Sequence, residues 1–257
     1  MGGVAMIWIW RIGGAIAFYT SIPIPRSWPL EFSGIARFAT LVGMLIGTIL
    51  GVMNWCLWSV GMPNFTRSSV IIALWVAITG GLHLDGAMDT ADGLSVMDRD
   101  RRLEVMSDSV TGAFGAISAI LILLLKTAAM SSLDPQHLWM AIAIPAWGRA
   151  GQLWAIWRYP YLKPTGKGAF HKAAIQSYKD VLPSLILLIA LSGVQAALNP
   201  QQSIEILSLT LGWAAIAGGS AWWFNHQLGG HTGDTYGAVV EWTEAWSLVW
   251  AILIGNG

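Results

Sequence analysis

Residues 67–93 read RSSVIIALWVAITGGLHLDGAMDTADG. After Arg67 the stretch is almost wholly apolar as far as Leu84, and then Asp85, Asp89 and Asp92 follow in quick succession. About 20 apolar residues cross a bilayer as a helix, so 67–84 reads as a membrane span that delivers three carboxylates to its own mouth. The rest of the chain agrees. Of its 257 residues 55% are hydrophobic and 11% charged, against about 25% charged in soluble domains. Sixteen tryptophans suit rings seated at lipid–water boundaries. The expected fold is all-α: a polytopic helical bundle forming one integral membrane domain over 1–257.

Working outward, further apolar stretches fall at 35–60, 112–132, 137–157, 180–198, 203–227 and 234–254, giving about seven spans. Residues 4–19 are short and carry Arg11, so they read as an interfacial or re-entrant N-terminal helix, and no clean cleavage site marks a signal peptide. The two prolines of SIPIPR (21–26) end that helix. The single Cys56 excludes an internal disulfide and any Cys-rich metal site.

Spans alternate in direction, so the loops at 20–37, 85–111, 158–180 and 228–233 share one face. That face holds Arg26, Arg37, Arg99, Arg101, Arg102, Arg158, Lys163, Lys167, Lys172 and Lys179. The loops of the other face, 61–66, 133–136 and 199–202, are short and nearly uncharged. The positive-inside rule puts the basic face in the cytoplasm, and the aspartates with it. The net charge of zero says nothing about partners, and no nucleic acid is expected.

Three constellations carry chemistry. If 84–92 is helical, Asp85, Asp89 and Asp92 stand at i, i+4 and i+7 on one face. Three carboxylates that close repel unless a cation sits among them, and oxygen ligands suit Mg2+ or Mn2+; a solvated helix end is the bland alternative. In LGGHTGDTYGAVVEWTE (228–244), Asp234 and Glu241 repeat the spacing, and Glu241 and Glu244 lie inside an apolar span. A buried carboxylate needs a cation, a donor or a proton. It either completes the metal site or pairs with Arg149, the cation lodged in the fourth span. The glycines Gly229, Gly230 and Gly233 would let backbone donors approach phosphates. MDRDRRLEVMSDS (97–109) reads as a surface helix with Asp98 as its N-cap. It presents Arg99 and Arg101, donors that phosphates prefer, beside Glu104 and Asp108. His83 is off the aspartate face and reads as a hydrogen-bonding residue at the mouth, with a base or ligand contact as the alternative. YLKPTGKGAFHK (161–172) is either a basic flap over an anionic substrate or mere positive-inside charge, and it lacks the P-loop spacing.

FYTSIPIPR (18–26), GGLHLDGAMDTADG (80–93), DRRLEVMSDSVTGAFG (100–115) and LGGHTGDTYGAVVE (228–241) resemble, in order and over nearly the whole chain, the cobalamin synthase family of adenosylcobinamide-GDP ribazoletransferases. The resemblance implies an enzyme of the bacterial inner membrane with its site facing the cytoplasm. A ribose hydroxyl of α-ribazole, or of its 5′-phosphate, would attack the cobinamide-linked phosphate of adenosylcobinamide-GDP, releasing GMP with Mg2+ as cofactor. It implies Asp85, Asp89 and Asp92 as metal ligands, and Asp234 with its glycines as a second substrate wall. His83 joins the aspartates as a catalytic candidate. Arg26, Arg99, Arg101, Glu104, Asp108, Arg149, Thr232, Thr235 and Glu241 are substrate-binding candidates. Membrane lipid is an expected partner, as is a second copy of the chain or another cobalamin-assembly enzyme. Two competing readings remain: a Mg-dependent phosphotransferase acting on a lipid diphosphate, and a cation or proton transporter using Asp85, Asp89, Glu241 and Arg149. Bare far-side loops disfavour the transporter.

Overall fold

The structure, a computed structural model, describes residues 2–163, 166 and 168–255. It is all-helical as expected: α1 (Gly2–Tyr19), α2 (Ala39–Ser59), α3 (Asn64–Thr79), α4 (Leu82–Ser95), α5 (Arg99–Val105), α6 (Ala113–Ser132), α7 (Leu138–Arg158), α8 (Ala169–Ala174), α9 (Tyr178–Leu198), α10 (Ser203–Leu228) and α11 (Gly233–Gly255). Short 3-10 turns at Ile35–Phe38 and Pro200–Gln202 lead into α2 and α10.

Five of the expected spans are helices long and apolar enough to cross a membrane. The other two differ in instructive ways. The span expected at 67–84 is not one helix. It stops at Thr79, and the chain turns by 90° into α4. Gly80 and Gly81 both take positive φ, at 60° and 71°, a left-handed conformation that other residues adopt only with strain. The aspartates therefore do not trail the C-terminus of a long helix. Asp85 sits in the first turn of a new one, where the helix dipole favours a carboxylate.

The segment expected at 137–157 is helical as α7, but it is less apolar than the five because it is shielded by protein. Its residues from Ala143 to Leu153 are all buried, and α2, α9, α10 and α11 pack around it. Close contact with α2 depends on small residues: a Cβ on Gly43 would come within 2.6 Å of the Pro145 carbonyl oxygen. Backbones brought this close by glycine are a common way for membrane helices to associate.

Helix α1 is 18 residues long and packs on α2 and the turn before it. Met6, Trp8 and Ile9 remain exposed, while Ala15 and Tyr19 enter the core. The loops assigned to one face do meet. Arg37 Nε donates to Asp180 Oδ1 at 2.8 Å, Arg102 Nη1 to the Gln227 carbonyl at 3.0 Å and Lys163 Nζ to Asp234 Oδ2 at 3.2 Å.

Candidate active site

Helices α4 and α11 pack directly on one another, because glycine occupies the crossing on both sides. A Cβ on Gly86 would lie 2.9 Å from Asp234 Cα, and one on Gly237 would lie 2.8 Å from the His83 carbonyl oxygen. The acidic motif at 80–93 and the one at 228–241, far apart in sequence, thus share one site. Asp85 and Asp234 line the same cavity of about 110 Å3, with His83, Gln152, His171 and Tyr236. Asp89 feels the negative charges of Asp85, Asp234 and Asp92, and Lys163 is the cation that opposes them.

The three aspartates of α4 are not equivalent. Asp85 is exposed and Asp89 half-buried. Asp92 is buried and already committed: its two carboxylate oxygens accept the backbone N–H of Gly112 and of Gly115, each at 2.8 Å. These are donors at the start of α6 that the helix cannot satisfy itself, so Asp92 caps α6. Asp85, Asp89 and Asp234 have the oxygen chemistry of a hard divalent ion, and Mg2+ usually keeps several waters and takes only one or two carboxylates. Among the described residues no three acidic, His or Cys side chains are preset around one point. The donor set is thus one that could hold a hydrated ion through one or two carboxylates and not a closed cage.

Around His231, Asp234 is fixed by its neighbours. Thr232 caps α11: Thr235 N donates to Thr232 Oγ1 at 3.2 Å, and Thr232 N to Thr235 Oγ1 at 2.7 Å. Thr232 Oγ1 also donates to Asp234 Oδ2 at 3.2 Å. Gly229 and Gly230, expected to admit phosphates, serve the chain turn. Gly229 ends α10 with φ of 80°. A Cβ on Gly230 would come within 2.8 Å of the Pro160 carbonyl oxygen, where His231 N donates to that oxygen at 2.8 Å. Gly233 remains open, its nearest neighbour being the Gly168 nitrogen at 3.6 Å from a built Cβ.

His231 itself is wholly buried between α10 and α11. Burial pushes its imidazole down from 6.5 to about 4. Between pH 6.5 and about 4 the unfolded chain takes up a proton that the folded one refuses, so stability falls as pH drops through that window. The full effect is about 3 kcal/mol. His231→Asn should flatten the fall in unfolding midpoint between pH 7.5 and pH 5 in detergent; the same slope in parent and variant would refute the assignment.

Glu241 does not reach the site. It and Glu244 accept hydrogen bonds from Lys126 Nζ, at 2.6 and 2.5 Å, in a buried triad, so the expected pair of Glu241 with Arg149 is not formed. Lys126 comes from α6 at the depth of those residues and offers three donors on one flexible stem. Arg149 is fully buried and lies behind the cavity: its Nη1 is 2.6 Å from His83 Nε2 and its guanidinium carbon 5.2 Å from the Tyr19 ring centre. An arginine can only donate. His83 Nε2 is therefore the acceptor, and the ring proton sits on Nδ1, which finds no partner among the described residues. With its lone pair engaged, His83 is a donor and not a base.

The remaining candidates lie outside the cavity. Arg26, Arg99, Arg101, Glu104 and Asp108 are exposed. Arg101 meets Glu104 only at 3.9 Å, and Asp108 Oδ1 accepts Val110 N in a local turn. Asp98 does cap α5. Lys167, one of the flap lysines, lies outside the described residues. Sequence reasoning missed the partners of the buried charges and the cavity's polar lining. Lys126 was the available signal: the one lysine within a span, with two glutamates in another to balance it.

The match to known proteins is extensive. The family model described as cobalamin-5-phosphate synthase matches residues 11–253. An adenosylcobinamide-GDP ribazoletransferase of Trichormus variabilis is 57% identical over 90% of this chain and 92% of its own. Proteins of that name from Synechococcus sp. and Thermosynechococcus vestitus are each 48% identical, over 96% and 95% of this chain and 96% of their own. No solved structure matches. With the two acidic motifs joined in one site and the family model covering nearly all of its length, the chain belongs to the cobalamin-5-phosphate synthase family.

Proposed function

We propose that the protein joins adenosylcobinamide-GDP to α-ribazole, or to its 5′-phosphate, and releases GMP. The observation that carries this reading is that Asp85 and Asp234 line one cavity, with Asp89 close enough to feel both charges, on a chain 57% identical to a protein named for that transfer.

In the reaction a ribose hydroxyl oxygen forms a bond to the cobinamide-linked phosphorus. The bond from that phosphorus to the bridging diphosphate oxygen breaks, and the oxygen leaves with GMP. Asp85, Asp89 and Asp234 are the residues that would hold Mg2+, and when bound it supplies neutralisation of the diphosphate and of the departing phosphate. Without such a cation the carboxylates would repel the substrate. Lys163, within 3.2 Å of Asp234, brings a further positive charge to the mouth. The hydroxyl proton goes to a carboxylate or to water, since the His83 lone pair is engaged by Arg149. The basic residues gathered on this face support a site on the cytoplasmic side of the bacterial inner membrane.

The test is direct. Membranes carrying the protein, given adenosylcobinamide-GDP, α-ribazole and Mg2+, should release GMP and form a cobamide in equal amounts. GMP without cobamide would reduce the activity to hydrolysis, and neither product would end the proposal.

A further inference from the structure

The cavity that Asp85 and Asp234 line is also lined by polar residues with buried atoms that have nothing to bond. His83 Nδ1, Gln152 Oε1, Tyr236 Oη and both ring nitrogens of His171 are buried without a partner among the described residues, and all four side chains line the cavity. Their residues are at most 4% exposed. A buried polar atom left unpaired costs about 1–3 kcal/mol, so several around one small space are well explained by a ligand that pairs them.

Their chemistry narrows the ligand. The His83 ring, held by Arg149, presents an N–H. Gln152 presents a carbonyl oxygen, which can only accept. Tyr236 and the two nitrogens of neutral His171 can do both between them. A phosphate offers acceptors alone and would face Gln152 Oε1 and the carboxylates at the mouth. A bare aromatic ring would leave every one of these groups unpaired. A hydroxylated ring both donates and accepts. At about 110 Å3, below the roughly 150 Å3 cavity that takes one benzene ring, the cavity has room for one hydroxylated edge of a furanose, with the rest of the ring at its opening.

We propose that this cavity is the subsite for the sugar of the attacking nucleoside, with His83 as a fixed N–H donor to one of its oxygens and Gln152 as the acceptor for one of its hydroxyls. The inference rests on the transferase reading above. It places the ribose next to Asp85 and Asp234.

Steady-state kinetics with α-ribazole and adenosylcobinamide-GDP, each varied in turn, tests it. Gln152→Leu keeps the volume and removes the acceptor. It should raise KM for α-ribazole more than tenfold and leave KM for adenosylcobinamide-GDP within about twofold. Tyr236→Phe, which removes a hydroxyl alone, should show the same split and serves if Gln152→Leu does not fold. At position 83, asparagine can put an N–H where Nδ1 stands, whereas glutamine reaches toward the Nε2 position. His83→Asn should therefore hold the α-ribazole KM closer to the parent value than His83→Gln does. Equal rises for both substrates, or a rise for adenosylcobinamide-GDP alone, would overturn the subsite while the parent's turnover still upheld the transferase. A parent enzyme that formed no cobamide would overturn both.

Discussion

Asp85→Asn and Asp89→Asn should each lose more than tenfold in cobamide formation, above about 1.4 kcal/mol of transition-state stabilisation, and should unfold at the parent's temperature. Neither carboxylate accepts a protein hydrogen bond among the described side-chain contacts. Asparagine keeps their shape and removes the charge that a diphosphate-bound cation requires. Asp92→Asn should behave in the opposite sense. Both Asp92 oxygens serve the start of α6, and asparagine has one acceptor oxygen where aspartate has two. One buried backbone N–H is then orphaned, at a cost of about 1–3 kcal/mol. The measurement is a pair of numbers for each variant, rate and unfolding midpoint. If Asp92→Asn lost activity at full stability, the division of the row into site and cap would be wrong. Parent-like rates for both Asp85→Asn and Asp89→Asn would remove the metal–diphosphate site altogether.

Lys126→Met should be the most destabilising single change in the bundle. It leaves Glu241 and Glu244, 6% and 1% exposed, facing each other without their shared cation. Breaking a buried ion pair from one side costs about 3–5 kcal/mol. The loss also removes a cation from over the Trp75 ring, 4.4 Å from its centre. The triple variant Lys126→Met/Glu241→Gln/Glu244→Gln should recover most of the stability, because the penalty comes from uncompensated charge and not from lost volume. Detergent unfolding of the three proteins decides the matter. A Lys126→Met protein as stable as its parent would mean that the triad carries no folding energy, and a triple variant no better than the single would shift the cause to packing.

The sequence by itself determined the class of fold and the approximate position of five spans. Bilayer thickness converts directly into run length, and hydrocarbon solvent demands apolar side chains wherever lipid is touched. It determined that Asp85, Asp89 and Asp92 fall on one helix, since helical spacing is local. Alternation grouped the loops 20–37 and 158–180 on one face, and Arg37 and Asp180 meet across them.

Tertiary structure decided what local pattern cannot encode. The break at Gly80–Gly81 depends on backbone angles that apolar run length does not reveal, and it moved Asp85 from the end of one helix to the start of another. Helix α7 is less apolar than a lipid-facing span because protein surrounds it, a fact about neighbours. Asp92 became a cap because Gly112 and Gly115 happen to present their N–H groups to it. Glu241 found Lys126 and not Arg149, although α11 packs on both of their helices, because the Arg149 guanidinium is turned to His83 and Tyr19. His83 became a donor through an arginine 66 positions away. The last three are long-range contacts, and each changed the chemical role of a side chain without changing its place on its own helix.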